Sequence, residues 1–228
     1  MTGGNLIYQV GTWGGDLTGP GGLRIFEAQP NGLEPMGELE VEAYPGFEDV
    51  IVFGNAAYVA CAGDVWRIDV ADPRAPRHVS TTVTPRHTSR LASNGQVVAC
   101  MNRQGDADVF RLVPDGSLDS LTAWSFPGGT ESLLLSGSRA FVGGRNGGVI
   151  IASVRDPMLP QIVAQISGSS ATTDLALSGN TLFVLETNGV LRAIEELDSA
   201  TPIERGRLEG PDMASGNMVA TASTVWIG

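Results

Sequence analysis

Few residues in this chain have side chains that could act as catalysts or metal ligands, and most of these are far apart in sequence. Arg86 and His87 are adjacent, while Glu48, Glu131 and Asp174 each stand shortly before an apolar run. A histidine among carboxylates can act as a general base, and together these groups can hold a divalent metal ion. A metal-activated water would then give hydrolytic chemistry.

The same positions also fit a structural role. Threonine and aspartate side chains at the starts of strands commonly accept hydrogen bonds from neighbouring backbone N–H groups. One histidine with scattered carboxylates is a weak metal pattern, and the sequence has no nucleophile elbow, HExxH, CxxC, phosphate loop or EF-hand pattern. The sequence therefore favours a binding protein over an enzyme, with no catalytic residue, metal ligand or cofactor assigned.

A repeat of about 42 residues organises the chain that must position these groups. A turn dipeptide follows a short apolar run five times, at spacings of 40, 43, 42 and 43 residues. A period of this length, with about four strand-like runs per unit, is typical of β-propeller blades. The five dipeptides are Gly54-Asn55, Asn94-Gly95, Gly137-Ser138, Gly179-Asn180 and Ala222-Ser223.

Counting strands predicts one all-β domain over residues 1–228, a propeller of five four-stranded antiparallel blades. The whole chain has 21 strand-like segments, whereas five four-stranded blades need 20. We therefore expect one composite blade that is built from segments at both termini. Met218 to Ala220 would share this blade with Leu23 to Phe26 and Met36 to Val41, and one of Ile7-Tyr8 or Trp226-Ile227 would be redundant. The approximate units are 1–43, 44–84, 85–126, 127–168, 169–209 and 210–228.

Loops that enter the innermost strands of a propeller converge at one mouth of its axial channel, which makes this mouth the expected binding site. Trp13 lies in a long glycine-rich loop that would overhang the mouth, and a loop aromatic without a strand partner often serves recognition. The predicted ligand contacts are Trp13, Glu48, Arg86, His87, Glu131 and Asp174. Four arginines at one place in the third strands are instead expected to form structural salt bridges or to be solvated: Arg24, Arg67, Arg111 and Arg192.

One unit resembles a known repeat. From Asp49 to Val79 the chain shows a Gly-Asn turn, a Tyr-Val strand, an Arg-Ile-Asp strand and an Asp-Pro-x-x-Pro link. This order is similar to the LVIVD repeat of bacterial propeller proteins, which implies the fold but no shared reaction. The segment from Tyr8 to Phe26 also resembles the opening of lactonase-type propellers, so a lactonase-like enzyme is kept as an alternative.

Composition limits the partners. The net charge of −11 disfavours nucleic acid and anionic membranes, and it favours a cationic or neutral protein or small-molecule ligand. The sequence shows no signal peptide or apolar membrane span, so we expect a soluble, cytoplasmic protein. A monomer is expected, with an edge-mediated oligomer or a fragment of a larger propeller as the structural alternative. Cys61 and Cys100 are expected to be buried thiols rather than a disulfide.

Overall fold

The computed structural model describes residues 6–12, 21–41, 46–61, 63–210, 218–221 and 224–227. Within these ranges the chain forms strands and no helix, as the repeat predicts. No helix long and apolar enough to span a membrane occurs in the described part. The architecture is a five-bladed β-propeller of antiparallel strands.

Four blades are each one continuous four-stranded sheet in which strands pair in chain order. Blade 1 comprises β4 (Phe47–Phe53), β5 (Ala56–Cys61), β6 (Asp64–Asp69) and β7 (Arg77–Thr82). Blade 2 comprises β8 (Arg90–Ser93), β9 (Val97–Met101), β10 (Asp106–Leu112) and β11 (Leu118–Ser125). Blade 3 comprises β12 (Thr130–Ser136), β13 (Arg139–Gly144), β14 (Val149–Ser153) and β15 (Gln161–Ile166). Blade 4 comprises β16 (Thr172–Ser178), β17 (Thr181–Glu186), β18 (Val190–Glu195) and β19 (Ile203–Glu209).

The predicted turn dipeptides join the first and second strands of these blades. Gly54 and Gly179 adopt φ values of +55° and +58°, and nothing lies within 4 Å of where a Cβ would stand. Glycine is favoured there because the left-handed backbone penalises an L side chain, not because the space is crowded. The repeat seen in sequence is therefore a repeat of hairpin geometry.

Apolar cores between adjacent blades hold the ring together. The core between blades 3 and 4 contains Phe141, Ile151 and Leu182, all fully buried. Burying a side chain of this size contributes about 1.5–3 kcal/mol. Near-continuous apolarity in the second strands follows from burial on both faces, and all six residues of β5 are buried.

The fifth blade takes its strands from both ends of the chain, and we call it the split blade. Its N-terminal part is a sheet of β1 (Leu6–Thr12), β2 (Gly21–Gln29) and β3 (Gly32–Val41). Its C-terminal part is a sheet of β20 (Met218–Ala220) and β21 (Val225–Ile227). Because β1 lies beside β4 and β20 lies beside β16, the prediction that strands from both termini close the propeller is confirmed.

One detail of the split blade differs from the expectation. The sequence predicted that one of two candidate second strands would be redundant, but both form: within the described residues β1 pairs with β2, and β21 pairs with β20. Seven residue pairs join β1 to β2, whereas three join β20 to β21. β1 therefore occupies the position beside β2, and β21 brings the described strands of this blade to five.

The two cysteines lie on the second strands of blades 1 and 2. Cys61 and Cys100 are both buried, and neither is in a disulfide. Burial raises the pKa of the Cys61 thiol to about 12 and also raises the pKa of Cys100. The sequence prediction of two buried thiols is confirmed.

Candidate functional site: the axial cavity

A cavity of about 660 Å³ lies where the inner strands of the propeller meet. The inner strands β4, β8, β12 and β16 follow one another around the axis, and β1 lies beside β4. Polar groups of the lining include Glu48, Asp49, Arg90 and Asp174, and part of the apolar wall comes from the split blade. The volume falls within the range of small-molecule sites.

Asp49 joins two blades at the edge of this cavity. Its Oδ1 accepts the N–H of Val50 at 2.8 Å, and its Oδ2 accepts the N–H of Leu91 in the next blade at 2.8 Å. Burial raises the pKa of the carboxyl group, and the N–H of Leu91 and the charge of Arg90 oppose that increase. Asp49 is therefore a link between inner strands.

Asp174 repeats this geometry one blade before the end of the ring. Its Oδ1 accepts the N–H of Leu175 at 2.8 Å, and its Oδ2 accepts the N–H of Met218 at 2.5 Å. Burial raises its pKa also, against the effect of both N–H donors. The carboxylate thus attaches β20 to blade 4, which is the role the structural interpretation of the sequence gave to aspartate.

The equivalent positions of blades 2 and 3 make the same connection with other chemistry. Arg90 Nε donates to the carbonyl oxygen of Glu131 at 2.7 Å, and Ser132 Oγ donates to the carbonyl oxygen of Thr172 at 3.3 Å. Asp49, Arg90, Ser132 and Asp174 therefore form one series, which we call the axial links. Each axial link reaches from one inner strand to the next.

A β-bulge stands beside three of the axial links. The pairing register of the inner strand skips one residue in blades 1, 3 and 4, at Glu48, Glu131 and Thr173. Bulges re-aim side chains and are common next to functional sites. Two of the predicted site residues are therefore bulge residues, and the local geometry decides where each one points.

Glu48 and Glu131 have different surroundings despite their equivalent places. Glu48 is half-buried, lines the cavity and makes no hydrogen bond or ion pair with any described residue. Glu131 forms a salt bridge with Arg145, whose Nε lies 2.7 Å from its Oε1, and its side chain does not line the cavity. Of these two residues, Glu48 is the one whose carboxylate faces the cavity without a partner among the described residues.

Arg86 and His87 occupy the connection between blades 1 and 2 and do not line the axial cavity. Arg86 forms an ion pair with the buried Asp108. His87 has a left-handed backbone with φ of +56°, and its ring lies against Gly63, where a Cβ would come within 3.0 Å. Both residues thus fix the loop in position.

Two further predictions concern the wider site. Trp13 lies outside the described residues. Within the ranges that the structure describes, no group of three or more His, Cys, Asp or Glu side chains is arranged to hold a metal ion. The structure therefore brings together Glu48 and Asp174 of the six predicted contacts.

Sequence reasoning missed Arg90, Tyr8 and Gln9, all of which line the cavity. A signal for Arg90 was present, because Asp49, Arg90, Ser132 and Asp174 are spaced at 41, 42 and 42 residues and each precedes an apolar residue. Their differing side chains concealed the equivalence. Tyr8 and Gln9 were not predictable, because the place of β1 beside β4 depends on how the termini share the split blade.

The sequence matches no protein-family model, and a comparison with curated proteins found no match. Among solved structures, the chain is similar to the crystal structure of a functionally unknown protein from Desulfotomaculum acetoxidans DSM 771, with a TM-score of 0.70. The sequences are 13% identical over 91% of this chain and 70% of that chain. At this identity the likeness shows the propeller fold alone.

Proposed function

We propose that the protein is a non-catalytic propeller scaffold that binds a small organic cation in the axial cavity. The observation that carries this proposal is the half-buried Glu48, which faces a 660 Å³ cavity and has no partner among the described residues. Among the described residues, the lining contains three carboxyl groups, from Glu48, Asp49 and Asp174, against one guanidinium, from Arg90. An excess of negative charge in a concave site attracts cations.

The apolar wall narrows the ligand class further. Phe26, Ile51 and Leu133 lie around the same cavity as the carboxylates. A ligand with an ammonium group and an apolar body would satisfy both surfaces, since small-molecule sites combine apolar walls with few polar groups that fix orientation. The axial links hold Asp49 and Asp174 in place, which leaves Glu48 as the carboxylate that meets the ammonium group.

Calorimetric titration with phenethylammonium and phenylacetate tests this proposal, because the two probes share a shape and differ in charge. We expect the cation to bind more tightly, and Glu48→Gln to weaken its binding about five- to tenfold, as for a partly exposed ion pair of about 1 kcal/mol. Glu131→Gln is the matched control, since Glu131 faces Arg145. Equal binding of both probes, or equal effects of the two variants, would contradict the proposal.

We also infer that the blades are LVIVD-type repeats, which two of their links support. In the link after β6, the N–H of Arg74 donates to Asp72 Oδ1 at 3.0 Å, and in the link after β14 the N–H of Met158 donates to Asp156 Oδ1 at 2.9 Å. Each Asp-Pro link therefore makes the same aspartate turn. The repeat similarity extends from residue order to hydrogen bonding.

Self-association is a second candidate function, and one face of the split blade favours it. Ile7, Phe26 and Leu33 project from one face of the β1–β3 sheet and belong to none of the five apolar cores. Ile7 is 42% exposed and Leu33 is 55% exposed. Ile7, Phe26 and Leu33 also line the axial cavity, so a second copy seated on this face across a two-fold axis would compete with a ligand for that wall.

Light scattering during size exclusion tests self-association. A dimer at high concentration, returned by Leu33→Glu to the 23.8 kDa of one chain, would support this candidate. A wild-type mass of one chain at every concentration would overturn it. The Glu48 titration is read independently, at a concentration where the protein is monomeric.

A further inference from the structure

The third-strand arginines were expected to be structural, and three of them behave so. Arg24 Nε lies 3.1 Å from Glu38 Oε2 across the β2–β3 pair. Arg192 is almost fully buried; its Nη1 lies 3.2 Å from Glu186 Oε1, and its Nε lies 2.7 Å from Glu204 Oε2. Arg111 is exposed to solvent. These positions thus confirm salt bridges or solvation.

Arg67 is the exception. It is half-buried, and no acidic group of the described chain lies within salt-bridge distance of it. Its Nε is hidden from solvent and has no hydrogen-bond acceptor. The cross-strand register explains the difference, because Ser80 lies opposite Arg67 on β7, whereas Glu38 lies opposite Arg24 on β3. A buried donor without an acceptor costs about 1–3 kcal/mol.

Arg67 lies in the wall shared by two cavities, of about 890 Å³ and about 220 Å³, between blades 1 and 2. The Tyr58 hydroxyl donates to the carbonyl oxygen of Gly116 at 2.7 Å and fixes this wall across the two blades. A Cβ on Gly116 would stand 2.7 Å from Arg67 Nη2, and Gly116 has φ of +80°. The turn around Gly116 therefore leaves room for the guanidinium.

The other charges of the larger cavity already have partners. Arg77 Nη2 lies 2.8 Å from Asp69 Oδ2. Asp115 accepts the N–H of Ser117 at 2.8 Å, and this hydrogen bond lowers the pKa of Asp115, with a smaller contribution from the charge of Arg67. Arg67 is thus the one guanidinium of this cavity, among the described residues, without a direct acidic partner.

We propose that the cavity between blades 1 and 2 is a second ligand site, which binds a small organic carboxylate on Arg67. The Nε is shielded, so the ligand oxygens meet the terminal Nη atoms, and a carboxylate matches their fork geometry. Phe53, Val79 and Pro114 line the same cavity and provide contacts for the apolar part of the ligand. This site is separate from the axial cavity and has the opposite charge preference.

Titration calorimetry with benzoate, benzyl alcohol and inorganic phosphate at constant ionic strength tests the proposal. We expect benzoate to bind most tightly and Arg67→Gln to weaken its binding about tenfold, since a charge-assisted bidentate contact contributes more than 1 kcal/mol. Arg111→Gln is the matched control, because Arg111 occupies the equivalent strand position of blade 2 and is exposed. The amide signals of Gly116 and Ser117 should shift on binding.

Three outcomes would overturn the proposal: benzoate binding that survives Arg67→Gln, benzyl alcohol that binds as well as benzoate, or no shift at Gly116. Phosphate that binds through Arg67 as tightly as benzoate would indicate an adventitious ion only. Arg67→Lys keeps the charge but not the fork, so if Arg67→Gln does not fold, a weaker benzoate affinity in the lysine variant still supports the site. An unchanged affinity in that variant would contradict the bidentate contact.

Discussion

Blade 4 and the split blade are built from the same repeat but differ in continuity. Blade 4 is one sheet of four strands, and its core with blade 3 includes the fully buried Leu182. The split blade consists of two separate sheets, and its Ile7 is 42% exposed. The repeat therefore specifies the hairpins. Burial of their apolar side chains also requires that the hairpins pair with each other in one four-stranded sheet.

This difference should appear in local stability. Segments with fewer buried apolar contacts open at lower free energy than the global unfolding of the protein. The β20–β21 ladder has three residue pairs, and one face of the β1–β3 sheet is exposed. We therefore expect the split blade to have the lowest free energy of local opening. The complete blades should open only with the whole domain.

Thiol labelling gives the largest expected contrast. Cys61 and Cys100 are buried, and their raised pKa values leave little thiolate, so both should react with a disulfide reagent only after opening. Ile7→Cys on β1 should react at least about a thousandfold faster, if opening of the complete blades costs about 4 kcal/mol or more. Absorbance of the released thiol measures both rates. In urea all three thiols should react at the same rate. Fast labelling of Cys61 in the native protein would contradict the prediction that the complete blades open only with the whole domain.

The ion pairs of two equivalent arginines provide a second test. Glu186 is fully buried in blade 4, where it accepts hydrogen bonds from Ser169 and Arg192. Glu186→Gln breaks this network and should lower the free energy of unfolding by about 3–5 kcal/mol. Glu38→Gln in the split blade removes an exposed pair and should cost about 1 kcal/mol or less. Urea denaturation measures both, and equal losses would show that the split blade is as well buried as blade 4.

The smallest effect concerns pH, and it compares a link between complete blades with a link to the split blade. The amide of Leu91 reports on Asp49, and the amide of Met218 reports on Asp174. Burial raises both pKa values, so NMR titration of both amides should give midpoints above the ordinary aspartate value of 3.8. Because the folded state then binds the proton more tightly, each contribution to stability decreases as pH rises from 3.8 through the folded pKa. A midpoint below 3.8 would mean that the N–H donors outweigh burial.

Much of the fold could be predicted from sequence, because the hairpin turns need glycine with a positive φ and recur at a fixed period. Gly54 and Gly179 show this directly. The candidate site was less predictable. The sequence placed Glu48 and Glu131 at equivalent strand starts, and both are bulge residues, but Arg145 pairs with Glu131 whereas Glu48 lines the axial cavity.

Arg67 illustrates the same limit from another direction. Its place in the repeat predicted a salt bridge or solvation, but Arg67 is half-buried and the residue opposite it on the outer strand is Ser80 rather than an acidic residue. Period alone identifies equivalent positions, but the partner of each position depends on cross-strand register and bulges. Register and bulges depend on single residues in neighbouring strands, and a repeat pattern does not contain that information.

The axial links also make the order of the blades chemically distinct. Asp49 offers an acceptor to the amide of Leu91, whereas Arg90 offers a donor to the carbonyl of Glu131. The aspartate links use an amide of the next inner strand, and the arginine and serine links use a carbonyl oxygen, so exchanging two blades would change which backbone group each joint uses. Although the repeats look alike, their joints are chemically distinct, and a duplicated blade would create a joint that the native ring does not contain.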